Sequence, residues 1–235
     1  DASLPAVVER QLTQTCSRPV RVINAGVGGS TITTAVHMVE RGWAVSPDAV
    51  VLTFSENDID DLRSDMWNEL EVNRRAKSRF PLSIAYPLLR RMALWNFALK
   101  MRGRVRTLGF APTPPAPTAA NVKSDVDSLR ERYSRVLQTI QNDVRSHGRP
   151  FVLVAFPSHL TVNHTLDDEQ MQWVERMATR QGVPTLSLLG PLRDSGLPVE
   201  KLYQLPYDGH ASPRGNQLAG EWVAGRLATL GLCKA

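Results

Sequence analysis

The sequence lacks the features that mark membrane-spanning and disulfide-rich proteins. No apolar run approaches the ~18–20 residues that span a bilayer. The only cysteines are Cys16 and Cys233, so there is no CxxC pair for a metal or redox site and at most one disulfide. With 42% hydrophobic and 22% charged residues among 235, the chain is neither disordered nor collagen-like, and it fits a single domain with a substantial core.

The positive charge is concentrated in one stretch of the chain. The net charge is +5, but residues 62–106 carry eleven basic and three acidic side chains, which leaves −3 on the rest. Such a stretch is either a solvated helical face or a surface for an anionic partner, such as an acidic polysaccharide or phospholipid headgroups. Nucleic acid is not expected, because no recognised binding motif is present and the aromatic residues of this stretch have helical packing spacings.

Predicted strands alternate with predicted helices along the chain. Strands are expected at 20–24, 49–54, 151–156 and 183–188, and helices at 4–14, 31–40, 125–147, 167–181 and 213–230. The apolar run at 49–54 is typical of a strand buried on both faces. The alternation predicts a parallel sheet, in which ligands bind beyond the carboxyl ends of the strands. The loops at 25–30, 55–61, 157–166 and 189–212 are therefore the informative ones.

We expect one domain over residues 1–235 with an insertion. A mostly helical, basic stretch occupies about 62–110, and a Pro-rich linker with four prolines follows at 111–119. Such a density of proline excludes regular secondary structure and predicts an extended linker or surface loop.

The first motif that could carry chemistry is a glycine-rich loop at 24–31. Glycines let the backbone approach a ligand, and the following helix start offers N–H donors to an anion. A dinucleotide loop fits poorly: Gly26 and Gly28 satisfy G-x-G, but Thr31 stands where the third glycine belongs, and no strand-end acid follows ~20 residues later. A structural turn and an oxyanion-binding loop remain open.

The second motif, at 55–61, follows the second predicted strand. The amide of Asn57 could donate to a developing oxyanion, and Asp58 could cap the next helix or brace the loop. The acids at 56, 58, 60 and 61 resemble a calcium loop only vaguely, since the glycine and the distal glutamate of an EF-hand are missing. We therefore expect no metal.

The third motif is Asp208-Gly-His210, just before the last helix. A histidine two residues after an aspartate can act as a base with its orienting carboxylate, although alone the pattern also fits a surface loop. Among the other histidines, His159 and His164 lie in a loop after a strand and could line a cleft.

Together, in order and spacing, these three motifs resemble the SGNH (GDSL-type) hydrolase superfamily. The resemblance implies an α/β, flavodoxin-like three-layer αβα sandwich with a five-stranded parallel sheet. It assigns Gly29 and Asn57 to the oxyanion hole and Asp208 and His210 to the catalytic triad. The implied activity is serine-dependent hydrolysis of a small-molecule or carbohydrate ester through an acyl-enzyme, without a cofactor. The same groups would serve an O-acyltransferase acting on a sugar or other alcohol.

Three features depart from the family pattern. Ser55 replaces a glycine, and the last motif reads Asp-x-His where Asp-x-x-His is common. The Gly-Asp-Ser nucleophile motif and its strand are absent, and neither Ser30 nor Ser55 lies in a G-x-S-x-G elbow. Without a nucleophile the chain would be a non-catalytic binding domain.

We expect the missing first strand to lie between the strands at 20–24 and 49–54. Each buried backbone group left unpaired by its loss costs ~1–3 kcal/mol, against a total stability of ~5–15 kcal/mol. The strand and its serine are therefore expected upstream of Asp1, in the same chain or in a separate chain left by cleavage. The cysteines do not establish the compartment, although an extracytoplasmic (periplasmic or secreted) location is favoured.

Overall fold

The fold is seen in a computed structural model that describes residues 2–27, 30–63 and 119–233, with only the backbone at 119–124. The predicted basic insertion at 62–110 and linker at 111–119 therefore lie almost entirely outside the described residues. The exceptions are Leu62, Arg63 and Ala119. The predicted linker is wrong at its last residue, because Ala119 begins a helix.

The described segments form an alternation of helices and strands. The strands are β1 (Val50–Ser55), β2 (Phe151–Phe156) and β3 (Thr185–Ser187). The longer helices are α1 (Leu4–Thr15), α2 (Ile32–Gly42), α4 (Ala119–Ser146), α6 (Glu169–Arg180) and α9 (Pro213–Thr229). Single-turn helices are α3 (Asp58–Asp61), α5 (His159–Val162), α7 (Leu189–Arg193) and α8 (Val199–Leu202). No helix among these segments is long and apolar enough to cross a membrane.

The three strands form one parallel sheet in the order β1-β2-β3. Val50 pairs with Phe151, and Leu153 pairs with Thr185. Helix α6 packs on β2 and β3, α2 packs on α4, and α1 packs on α9. The structure thus confirms the predicted α/β sandwich with a central parallel sheet.

The prediction of a strand at 20–24 is wrong. Its side chains do alternate, because Val20 and Val22 pack on the core while Arg21 and Ile23 are exposed. A strand also needs a neighbouring strand to accept and donate its backbone hydrogen bonds. Here the Val22 N–H donates at 2.6 Å to a carboxylate oxygen of Glu9 on α1, which takes the place of a strand partner.

The two longer strands differ in how they are covered. Strand β2 is buried almost throughout, as expected for a strand covered on both faces. For the strand at 49–54 the prediction of burial on both faces is wrong, because Val51 is 43% exposed and Thr53 is also exposed. Among the described residues β1 pairs only with β2, so its other edge is open.

Helices α1 and α9 approach each other closely and are joined at their ends. A Cβ atom at Gly220 would lie 2.5 Å from Cγ1 of Val7, so glycine is required at this crossing. Cys16, directly after α1, forms a disulfide with Cys233, after α9. The sequence left this pairing open, and the packing of the two helices explains it.

Replacing both cysteines with serine should lower the free energy of unfolding by about 2–4 kcal/mol, because the disulfide restricts an unfolded chain whose linked residues are 217 apart. Urea unfolding of the oxidised protein and of the Cys16→Ser/Cys233→Ser variant measures the difference. A reducing agent should destabilise the parent protein and leave the variant unchanged. Equal unfolding midpoints for the two proteins would show that the cross-link contributes nothing.

Candidate active site

The predicted Asp208–His210 segment lies in a loop between α8 and α9 whose ends are fixed by hydrogen bonds. Tyr203 and Ala211 form an antiparallel bridge, and the Gln204 N–H donates to the His210 carbonyl at 2.9 Å. Ser212 caps α9 by accepting the Gly215 N–H at 3.0 Å. A Cβ atom at position 215 would lie 2.1 Å from the Leu202 carbonyl oxygen, so only glycine allows this closure.

Asp208 and His210 are in direct contact. Oδ1 of Asp208 lies 2.5 Å from Nδ1 of His210 and also accepts the His210 backbone N–H at 3.1 Å. These hydrogen bonds lower the pKa of Asp208, so its carboxylate stays ionised beside the ring. Because Nδ1 faces the carboxylate and the side chain is 84% exposed, Nε2 is left for a second proton partner. The Asp-x-His spacing is therefore sufficient for the pair to form.

Asn57 lies at the carboxyl end of β1, at the N-cap position of α3. Its Nδ2 donates to Oδ2 of Asp61 at 2.7 Å, which fixes the amide and leaves its second N–H unused by this contact. Oδ2 of Asp58 accepts the Ser55 N–H at 3.1 Å. Of the two roles that the sequence allowed for Asp58, the structure shows bracing of this loop.

The four acids of this loop do not converge on a common point. Asp58 binds Ser55 and Asp61 binds Asn57, as above, while Asp60 pairs with Arg63 at 3.5 Å. Glu56 binds the loop after β2. Throughout the described ranges, no group of three or more histidine, cysteine, aspartate or glutamate side chains is arranged to hold a metal ion.

Asp58 has an unusual protonation equilibrium. Burial raises its pKa from 3.8 to about 7, nearby Asp61 adds to the rise, and the Ser55 N–H partly opposes it. Tyr133 lies close by in the core, and burial together with the charge of Asp58 raises its pKa well above the ordinary value. The hydroxyl of Tyr133 has no hydrogen-bond partner among the described residues.

The raised pKa of Asp58 predicts that folding stability depends on pH. The folded protein retains the Asp58 proton between about pH 4 and 7, while the unfolded chain loses it, so stability falls as pH rises through this range. The expected slope is about 1.4 kcal/mol per pH unit. In Asp58→Asn this contribution should disappear, because the neutral amide oxygen still accepts the Ser55 N–H. Urea unfolding from pH 4 to 8 measures the slope.

Asp60→Asn is the matched control for this prediction, since Asp60 lies on the same turn with an exposed carboxylate. It should keep the slope of the parent protein. If Asp58→Asn also keeps that slope, then Asp58 is not the titrating group.

Glu56 is the residue that the sequence motifs do not identify, since its pattern with the neighbouring acids suggests only a metal ligand. Its Oε2 accepts hydrogen bonds from the Ser158 N–H at 3.1 Å and from the Thr161 hydroxyl at 2.7 Å. The loop after β1 is thereby tied to the loop after β2. The available signal was a carboxylate directly after the last residue of β1, at the ligand-binding edge of a parallel sheet.

His159 connects the loop after β2 to the third motif. A Cβ atom at Gly209 would lie 3.3 Å from Nδ1 of His159 and 3.4 Å from its Cε1, so the ring packs against the Asp208–His210 loop. That His159 lines a cleft stays a prediction, and the contact that the structure shows is the one with Gly209. His164 is exposed beyond α5, and no described contact ties it to Asp208 or His210.

The glycine-rich loop is only partly seen, and Gly28 and Gly29 lie outside the described residues. At its start, the Gly26 N–H donates to Oδ1 of Asn24 at 3.0 Å. At its end, Thr31 occupies the N-cap position of α2. The preceding residue, Ser30, donates its backbone N–H to the Val27 carbonyl at 3.0 Å.

A comparison with known families agrees with the resemblance that the three motifs carry. The model of the GDSL-like lipase/acylhydrolase family matches residues 1–218. The chain belongs to this family. Comparisons with curated proteins and with solved structures give no match. As a GDSL-like acylhydrolase the protein is a hydrolase of the esterase type, and the family model covers all three motifs.

Proposed function

We propose that the protein is a serine-dependent carboxylic ester hydrolase that works through an acyl-enzyme. The observation that carries the proposal is the contact between Nδ1 of His210 and Oδ1 of Asp208 in an exposed loop. An imidazole that donates from Nδ1 to a carboxylate presents a basic Nε2, which is the arrangement that activates a hydroxyl nucleophile.

In the proposed mechanism His210 moves the proton in both half-reactions. Nε2 takes the proton from a serine hydroxyl as its oxygen attacks the acyl carbonyl, and it returns the proton to the departing alcohol. Water then attacks the acyl-serine in the same way and releases the carboxylic acid. Asp208, whose pKa is lowered by its hydrogen bonds from His210, stays anionic and stabilises the imidazolium.

Asn57 is the proposed donor to the oxyanion. One amide N–H is held by Asp61, so the amide is oriented before substrate arrives and needs little reorganisation in the transition state. The backbone N–H of Gly29 is the proposed second donor, by the match of its motif to the family, and it lies outside the described residues.

The proposed nucleophile is a serine in a segment that precedes Asp1. No Gly-Asp-Ser motif occurs in the 235 residues. Among the described residues β1 has a partner on one edge only, which supports the idea that a further parallel strand pairs at its other edge. All activity measurements therefore require the full-length protein, including any residues before Asp1.

The direct test is turnover of a panel of esters by the full-length protein, with and without sugar and simple alcohol acceptors. Hydrolysis as the main reaction supports the proposal. Preferential transfer of the acyl group to an acceptor would identify an O-acyltransferase that uses the same residues. Absence of both reactions across the panel would contradict the enzymatic proposal and favour a binding domain.

The disulfide supports an extracytoplasmic location as part of the proposal. Structural disulfides form and persist in oxidising compartments and are rare in the cytosol. Cys16 and Cys233 account for both cysteines of the sequence, so no free thiol remains. Recovery of the protein from the cytosolic fraction with both thiols reduced would contradict this location.

A further inference from the structure

Glu56 lies where the loops after β1 and β2 meet. It follows the last residue of β1 and precedes Asn57, and its carboxylate accepts from the Ser158 N–H and the Thr161 hydroxyl. Its second oxygen, Oε1, is buried and has no hydrogen-bond partner among the described residues. Burying a carboxylate oxygen without a hydrogen-bond partner destabilises the folded protein. The arrangement held by the two hydrogen bonds to Oε2 is therefore expected to serve a purpose other than stability.

The element held by Glu56 is the start of α5, which touches the Asp208–His210 loop. The His159 ring packs against Gly209, and its centroid lies 5.9 Å from that of the Tyr203 ring. The Tyr203 hydroxyl donates to the Pro157 carbonyl at 2.7 Å, and its backbone bridges to Ala211. Two residues beside the Glu56 contact therefore support the loop that carries His210: His159 packs on Gly209, and Pro157 binds Tyr203.

We propose that Glu56 is a positioning residue that sets the His210 loop relative to the Asn57 amide, acting through the start of α5 and the His159 ring. The inference rests on the proposed function, because that function requires the two loops to keep a fixed position relative to each other. The oxyanion donor and the general base lie on different loops but act on the same reacting ester group. A misplacement of about 1 Å in such a site commonly costs about 100-fold in rate.

The first test compares Glu56→Ala, Glu56→Gln and the parent full-length protein in ester hydrolysis. Glu56→Ala should lower kcat by about 100-fold with little change in KM, because the two loops lose their fixed relative position while the substrate-binding surface is unchanged. Glu56→Gln retains an oxygen that accepts both hydrogen bonds and should stay within roughly tenfold of the parent kcat. Asp60→Ala, on the same loop with an exposed side chain, should match the parent protein.

The second test remains informative if Glu56→Ala folds poorly. The φ of Gly209 lies outside the left-handed region, so Gly209→Ala adds a methyl group against the His159 ring without strain from that angle. That methyl should displace the loop and lower kcat. In a His159→Ala background the contact is absent, and the cost of Gly209→Ala should shrink by roughly tenfold, as expected for residues in direct contact.

The outcomes separate this inference from the function on which it rests. An active parent protein with the stated losses and rescues supports both. An active parent protein whose kcat is unchanged in Glu56→Ala, or in which Gly209→Ala costs the same with and without His159, overturns the positioning role alone. A parent protein that does not hydrolyse any ester overturns the proposed function and this inference with it.

Discussion

His210→Ala should lower kcat/KM for ester hydrolysis by about 10⁴-fold or more in the full-length protein. The imidazole is the only group in the proposed mechanism that both accepts the serine proton and returns it to the leaving alcohol. Alanine removes this base and leaves the carboxylate of Asp208 without its partner at 2.5 Å. Binding of the ester should change little, so the loss should lie in kcat.

His37→Ala is the matched control for that measurement. His37 is exposed on α2, contacts Glu40 three residues later, and belongs to none of the three motifs. It should retain the parent activity. Comparable activity in His210→Ala and the parent protein would remove His210 from the mechanism, whatever the geometry of its contact with Asp208.

Asn57→Ala should lower kcat by about 10²–10³-fold, with a much smaller change in KM. The amide is proposed to donate to the oxygen only when that oxygen gains negative charge, so its loss destabilises the transition state more than the bound ester. Asp61 holds one N–H of the amide at 2.7 Å, which keeps the other in a fixed direction. Steady-state kinetics with one soluble ester give both parameters.

Asn142→Ala, on the exposed surface of α4, provides the control for loss of an amide elsewhere. Its kcat should equal that of the parent protein. A loss in Asn57→Ala that appears entirely as a raised KM would indicate an amide that binds the ground state, and the oxyanion role would then be wrong.

The sequence was sufficient for most of the helices and strands that the structure describes. Periodic apolar residues and glycine or proline boundaries predicted β2 at its observed residues and four of the five longer helices to within two residues of their ends, whereas α4 begins at Ala119 and not at residue 125. Residues 20–24 have the side-chain alternation of a strand, yet a strand exists only with a partner. Periodicity reports which side chains are buried and does not report which backbone groups pair.

The site could be predicted from sequence only where its residues are local. Asp208 and His210 are two positions apart, so their contact follows from one short loop. Glu56 binds Ser158 and Thr161 from 102 and 105 residues away. The pairing of Cys16 with Cys233 likewise depends on the packing of α1 against α9. Such contacts follow from tertiary structure, which motif spacing does not encode.

If His210 activates a serine that becomes acylated, that serine should be open to covalent labelling. The full-length protein is treated with a fluorophosphonate probe, which reacts with activated serines, and the labelled peptide is mapped by mass spectrometry. We expect one labelled serine in a segment preceding Asp1, with labelling lost in His210→Ala. If the full-length protein is not labelled, or if labelling persists without His210, the proposed role of His210 is wrong.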